Sequence, residues 1–191
     1  MLNNPEITAY IKEVKVNEAS GDLVIRGYAN TISKDRAGDV IPADTWRTSN
    51  ALTNYLKNPI LLAFHDHSLP IGEVTEINIT ESGLEVVARV VKSAPANVYG
   101  LIKEGILKSF SVGFRILEAD YDHDRGIFLI NDLELLEISV VSVPCNQDSI
   151  FSLEKSLNIK DYMELKQQFS KKSVQVVSEL EKLQLLLNPQ N

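Results

Sequence analysis

The sequence predicts a mainly β body with flanking helices, followed by a helical C-terminal tail. Three observations carry this reading. Up to about residue 152, short apolar, β-branched runs alternate with Gly-containing polar turns, the pattern of strands and hairpins. Two short segments inside that body have helical spacing instead. Beyond Ser152 the character changes: from Ser152 to Leu187 there is neither glycine nor proline, and apolar residues recur every three or four positions. The expected organisation is therefore a body over 1–153 and a helical extension over 154–191.

Taken in order, "EITAYIKEVKVNEASGDLVIRGYAN" reads as two strands around a turn at Ser20-Gly21-Asp22. Asp35 to Asp39 reads as a loop, and Pro42-Ala43-Asp44 as the start of a helix over Thr45 to Leu56 that Asn58-Pro59 ends. "ILLAFHDH" is a short apolar strand with a polar end. "LPIGEVTEINITESGLEVVARVV" reads as a hairpin turning at Glu81-Ser82-Gly83. "APANVYGLIKEGIL" has Val98, Leu101 and Ile102 at helical spacing, with Gly105 as its stop. A hairpin around Asp122 to Gly126 and a long β-branched strand closed by Pro144 complete the body. In the tail, Met163, Leu165, Phe169, Val176, Val177, Leu180, Leu183 and Leu187 mark one or two amphipathic helices. Their heptads are too irregular for a coiled coil.

Composition narrows the function classes. The 191-residue chain is 44% hydrophobic and 24% charged, in the range of globular proteins, and carries a formal charge of −7. With no basic stripe it is not expected to bind nucleic acid, since neutralising phosphates needs clustered Lys and Arg. A single cysteine, Cys145, cannot form an internal disulfide and fits a reducing cytosol. The N-terminus lacks a signal-peptide pattern, and runs such as "PILLAF" are far shorter than the roughly 20 residues a membrane helix needs. No membrane association is expected.

Several polar residues stand where apolar ones belong. In "SFSVGF", period two puts Phe110, Val112 and Phe114 on one strand face and Ser109, Ser111 and Gly113 on the other. That second face is small and nearly bare, leaving room for a substrate backbone to approach Ser111. In "FHDH", His65 and His67 fall on one face with Ala63 if the strand continues, and such a pair can also bind metal. Glu137 lies in "ELLEISVVSV", a run apolar enough to be buried on both faces, where a carboxylate is costly unless paired. An imidazole N–H is a suitable partner. Cys145 reads as an inert thiol.

Serine, histidine and a carboxylate on three separate strands are the set that nucleophilic acyl transfer requires. The hydroxyl is a weak nucleophile until an imidazole takes its proton, and a carboxylate fixes the tautomer and stabilises the imidazolium. Spacing alone does not bring the three together. A metal-binding β-barrel using His65 and His67 and a non-enzymatic assembly module therefore remain open at this point.

The same residues carry a resemblance. "IRGYANTISKDRAGDVIPADTW", "NPILLAFHDHSLPIGEV", "GILKSFSVGF" and "LELLEISVVSVPCNQDS" occur in that order between Val24 and Ser152. Together they resemble the conserved blocks of the prohead (capsid maturation) serine proteases of tailed bacteriophages, which are related in fold to the herpesvirus assemblins. The resemblance implies a closed six- or seven-stranded β-barrel flanked by helices. It assigns the nucleophile to Ser111, the histidine to His65 and the third member to Glu137, with Glu134 as the fallback. Cys145 stands where the family usually has alanine.

The function so implied is a serine endopeptidase that cleaves scaffold and major capsid protein inside the assembling prohead in the bacterial cytoplasm, with self-cleavage left open. No cofactor is expected. Self-association is left open, and the segment around Cys145 and Asn146 is the expected source of oxyanion-hole N–H groups.

Overall fold

A computed structural model describes residues 11–35 and 38–144, together with Gln167. Eight strands run in chain order: β1 (Ile11–Val16), β2 (Leu23–Thr31), β3 (Asp39–Val40), β4 (Ile60–Ala63), β5 (Pro70–Thr80), β6 (Gly83–Val90), β7 (Ser109–Asp122) and β8 (Ile127–Val141). An α-helix, α1 (Ala96–Lys103), joins β6 to β7, and short 3-10 helices cover Ala43–Arg47 and Tyr55–Lys57.

The turns follow their predicted chemistry. Gly21, Gly83, Gly105 and Gly126 all adopt positive φ, at the β1–β2 turn, the β5–β6 turn, the end of α1 and the β7–β8 turn. Thr45 to Leu56, expected as one helix, is instead two 3-10 turns with irregular backbone between them. This stretch is anchored by specific side chains. Trp46 is 1% exposed and its Nε1–H donates to Asn30 Oδ1 at 3.1 Å, while the Thr45 hydroxyl donates to the Ile130 carbonyl at 2.8 Å. Tertiary anchoring of this kind overrides a modest helical propensity.

All eight strands form one sheet in the order β1-β2-β6-β5-β4-β8-β3, with β7 on β8. The sheet is not closed into the expected six- or seven-stranded barrel. No ladder joins β1 or β2 to β7 among the described residues; the Ile11 N–H bond to the Lys108 carbonyl is the backbone link between the two ends. Among the described residues β1 ladders with β2 and β2 with β1 and β6, so neither is paired along β7 to close the sheet, while β8, at 15 residues, is long enough to serve several partners. It pairs β7 along its length, β3 in parallel at Phe128–Leu129, and β4 in parallel at Ile138–Val140.

The core explains why these strands are so apolar. Leu23, Ile25, Leu61, Ile71, Leu84, Val86, Phe110, Leu133, Ile138 and Val140 are all fully buried, with Ile102 of α1 packed among them. From Glu137 to Val141 every residue of β8 is buried, because β4 lies on one side of the strand and β7 on the other. No described helix is long and apolar enough to cross a membrane. The expected helical extension over 154–191 lies outside the described residues, Gln167 excepted.

Candidate active site

Three adjacent strands, β4, β8 and β7, place the polar residues singled out in the sequence. Ser111 of β7 stands directly opposite Ser139 of β8, and Ser139 stands beside Leu62 of β4. Two residues along, Gly113 faces Glu137. Directly opposed residues share a sheet face, so Ser111, Gly113, Glu137 and Ser139 all project to the same side. The register then slips between Gly113 and Phe114, leaving Leu136 as an extra residue on β8 next to Glu137. Such bulges bend a strand and re-aim its side chains.

His65 is positioned by a turn rather than by a strand. β4 ends at Ala63, and the Asp66 N–H returns to the Ala63 carbonyl at 3.0 Å. The two central residues, Phe64 and His65, both have φ of 57°. Two consecutive positive φ values belong to the type I′ geometry that usually selects Asn or Gly. In Phe and His they carry strain of about 1–2 kcal/mol per residue. Hydrogen bonds hold the turn: Phe64 N–H to the Val140 carbonyl at 3.0 Å, and His65 N–H to Ser139 Oγ at 3.1 Å. Downstream, the Asp66 carboxylate accepts from both the N–H and the hydroxyl of Ser68. Because the strand has ended, His65 and His67 do not share a strand face; His65 is largely buried and His67 is exposed. Among the described residues no three His, Cys, Asp or Glu side chains are grouped to hold a metal ion.

His65 Nδ1 and Glu137 Oε1 are 2.6 Å apart, with the two side chains 10% and 5% exposed. The other carboxylate oxygen, Oε2, accepts from the Ser139 hydroxyl at 2.6 Å. A buried carboxylate is retained when its oxygens are met by donors, and here both are. Glu134, the fallback, is engaged elsewhere: it accepts from Asn54 Nδ2 at 2.7 Å and pairs with Arg115 at 3.1 Å.

On its other edge the His65 ring has a buried Nε2 with no hydrogen-bond partner among the described residues. An orphaned buried polar atom is uncommon in a folded protein and calls for an explanation. Ser111 is 2% exposed, and its hydroxyl makes no hydrogen bond to that nitrogen. The geometry thus joins His65 to Glu137 directly and brings Ser111 onto the same sheet face through its register with Ser139. Close below, burial and then the charge of Glu137 push the Tyr55 hydroxyl up, so it stays protonated and donates to the Ile60 carbonyl at 2.9 Å.

Two features were not read correctly from the sequence. Gly113 was expected to open an approach to Ser111; a Cβ there would instead collide with the Glu137 carboxylate, so its bareness accommodates that side chain. Ser139 was not singled out, although it follows Glu137 by two and so shares its face, the signal that would have found it. Cys145 and Asn146, the expected oxyanion-hole segment, lie outside the described residues.

Comparison with known proteins places the whole chain. The chain is 54% identical over 188 residues to the prohead protease of Escherichia phage T5, covering 95% of this chain and 90% of that protein. It is 29% identical over 144 residues to a capsid polyprotein of Pseudomonas phage PAJU2, covering 71% of this chain but 20% of the polyprotein. The fold is similar to that of the bacteriophage T4 capsid assembly protease, with a TM-score of 0.53 at 15% identity, covering 72% of this chain and 93% of that one. A model of the family described as caudovirus prohead serine protease matches residues 11–164. With its serine-bearing strand and buried His–Glu pair inside the matched region, the chain belongs to the caudovirus prohead serine proteases.

Proposed function

We propose that Ser111, His65 and Glu137 form the catalytic triad of this prohead protease. The carrying observation is the state of His65: Glu137 holds Nδ1 at 2.6 Å, while Nε2 is buried and without a partner among the described residues. That is the condition of a general base waiting for a hydroxyl proton. Catalytic hydrogen bonds in unliganded sites are often long and tighten only with substrate, which accommodates the absence of a Ser111–Nε2 bond.

In this mechanism Ser111 Oγ attacks the scissile carbonyl carbon as its proton passes to His65 Nε2. Glu137 keeps the second ring proton on Nδ1 and stabilises the imidazolium. Collapse of the tetrahedral intermediate breaks the C–N bond, and Nε2–H protonates the departing amine. Water, deprotonated by the same nitrogen, then hydrolyses the acyl-enzyme and releases Ser111. Backbone N–H groups stabilise the oxyanion.

The substrates are the major capsid protein and the scaffold, with this chain itself a further one, and cleavage takes place within the assembling prohead. The names of the T5 protease, the T4 capsid assembly protease and the PAJU2 capsid polyprotein support this choice. Intact-mass spectrometry after co-expression with the cognate capsid and scaffold proteins tests it. Defined truncations should appear with the wild-type chain and vanish with Ser111→Ala. Identical truncations in both samples would remove Ser111 from the reaction.

A further inference from the structure

We infer that Ser139 is a positioning residue of the active site, acting through both the side chain and the backbone of His65. The inference rests on the catalytic reading of His65 and Glu137 given above. Ser139 is 0% exposed and its hydroxyl is engaged by both the His65 N–H and the Glu137 carboxylate, so it acts on these neighbours rather than on substrate.

Those neighbours form a closed circuit. The His65 N–H donates to Ser139 Oγ at 3.1 Å, and the Ser139 hydroxyl donates to Glu137 Oε2 at 2.6 Å. Glu137 Oε1 then meets His65 Nδ1 at 2.6 Å. The path leaves the backbone of His65 and returns to its ring, passing through a single hydroxyl. One group therefore does two things. It ties the strained turn, with φ of 57° at His65, to the central strand β8. It also fixes which carboxylate oxygen faces the imidazole, because Oε2 is already engaged.

A hydroxyl suits this place because it accepts and donates at once, whereas an amide N–H or a carbonyl does only one. Without it, Glu137 Oε2 and the His65 N–H would both be buried and unpaired. The carboxylate would be free to rotate about its terminal torsion, and the imidazole to lose alignment with Ser111. Ser139 also stands opposite Ser111 across β7 and β8, so the brace and the nucleophile are fixed to the same point of the sheet.

The test uses the full chain with Ser139→Ala and, as the variant that keeps a hydroxyl, Ser139→Thr. Ser139→Ala should lower kcat roughly ten- to a hundredfold, as expected for losing a hydrogen bond to a charged group, with KM changed by less than about twofold. Ser139→Thr should recover most of that loss. A second readout does not depend on activity. In the Ser111→Ala background, the far-downfield proton resonance of the His65 Nδ1–H should be present, and adding Ser139→Ala should shift or broaden it while amide dispersion stays native.

Unchanged kcat would overturn the inference, and so would a lowered kcat with an unchanged Nδ1–H resonance. If Ser139→Ala does not fold, the resonance and kcat of Ser139→Cys, isosteric but a weak donor, decide in the same way. Should Ser111→Ala itself stay active, the nucleophile assignment fails, while the resonance still reports on Ser139 separately.

Discussion

Gly113 and Glu137 face each other across β7 and β8, and the absence of a side chain at Gly113 is what lets the Glu137 carboxylate lie flat over the strand. A Cβ at Gly113 would overlap Glu137 Oε1 and stand 3.0 Å from its Cγ and Cδ. The end of a glutamate ordinarily moves aside at little cost. This one is held at both oxygens, by His65 and by Ser139.

Gly113→Ala therefore acts on catalysis more than on the fold. Its φ is not in the left-handed region, so alanine is tolerated by the backbone. The carboxylate must shift by a distance comparable to a bond length, and misplacement of about 1 Å can cost about 10²-fold in rate. Loss of kcat of that order, with a thermal midpoint near wild type, is the expected outcome. A variant with native kcat would show that the carboxylate can move without consequence.

Glu137→Gln and Glu134→Gln should separate cleanly. An amide at 137 keeps the shape but cannot stabilise an imidazolium, and the loss can reach about 10⁴-fold in kcat. Glu134 pairs with an Arg115 side chain that is 56% exposed, and such surface pairs contribute about 0–1 kcal/mol. Glu134→Gln should leave turnover within about threefold of wild type. Steady-state cleavage of one capsid-derived substrate by both variants checks the pair, and the reverse ranking would transfer the role to Glu134.

Acid stability should depend on Asp132. Its carboxylate is held below the usual range first by the Thr48 hydroxyl; burial opposes this, and the Asn50 amide and the Leu133 N–H tip the balance downward. A depressed value in the folded state means that the stabilisation is complete above the ordinary carboxylate pKa of about 4. It is lost as pH falls through the folded value. Asp132→Asn should accordingly be less stable than wild type at neutral pH, and the difference should shrink on acidification. Denaturant midpoints measured between neutral pH and about pH 3 test this; a gap that widens toward acid would contradict it.

The parts of the fold that were legible are those governed by local chemistry. Hairpins turned where Gly21, Gly83 and Gly126 supply positive φ, and α1 ended before Gly105 as its sequence required. Glu137 stood out because a carboxylate in an apolar run demands a partner, and the partner proved to be His65. What stayed hidden depended on long-range packing. Nothing local announces that Trp46 will bond Asn30 and hold Ala43–Arg47 in a 3-10 turn. The bulge at Leu136 and the open edge between β1 and β7 are likewise properties of pairing between distant segments. The reversal at Phe64 and His65 was hidden for another reason. Neither residue is a usual choice for positive φ, so the sequence read as a continuing strand.

That reversal suggests a trade between stability and function. Phe64 is 44% exposed, so its ring gains little from burial, yet it occupies a backbone conformation that disfavours aromatic residues. Asparagine tolerates the left-handed region far better. Phe64→Asn should stabilise the protein by about 1 kcal/mol, a rise of about 2–4 °C in Tm for a chain of this length. The Phe64 N–H bond to Val140 is retained because it belongs to the backbone. Differential scanning calorimetry of both proteins measures the change. A lower Tm would mean that the Phe64 ring contributes packing beyond its exposure. A higher one would mean that an aromatic residue persists beside His65 at a cost to the fold, so its benefit must lie elsewhere than in stability.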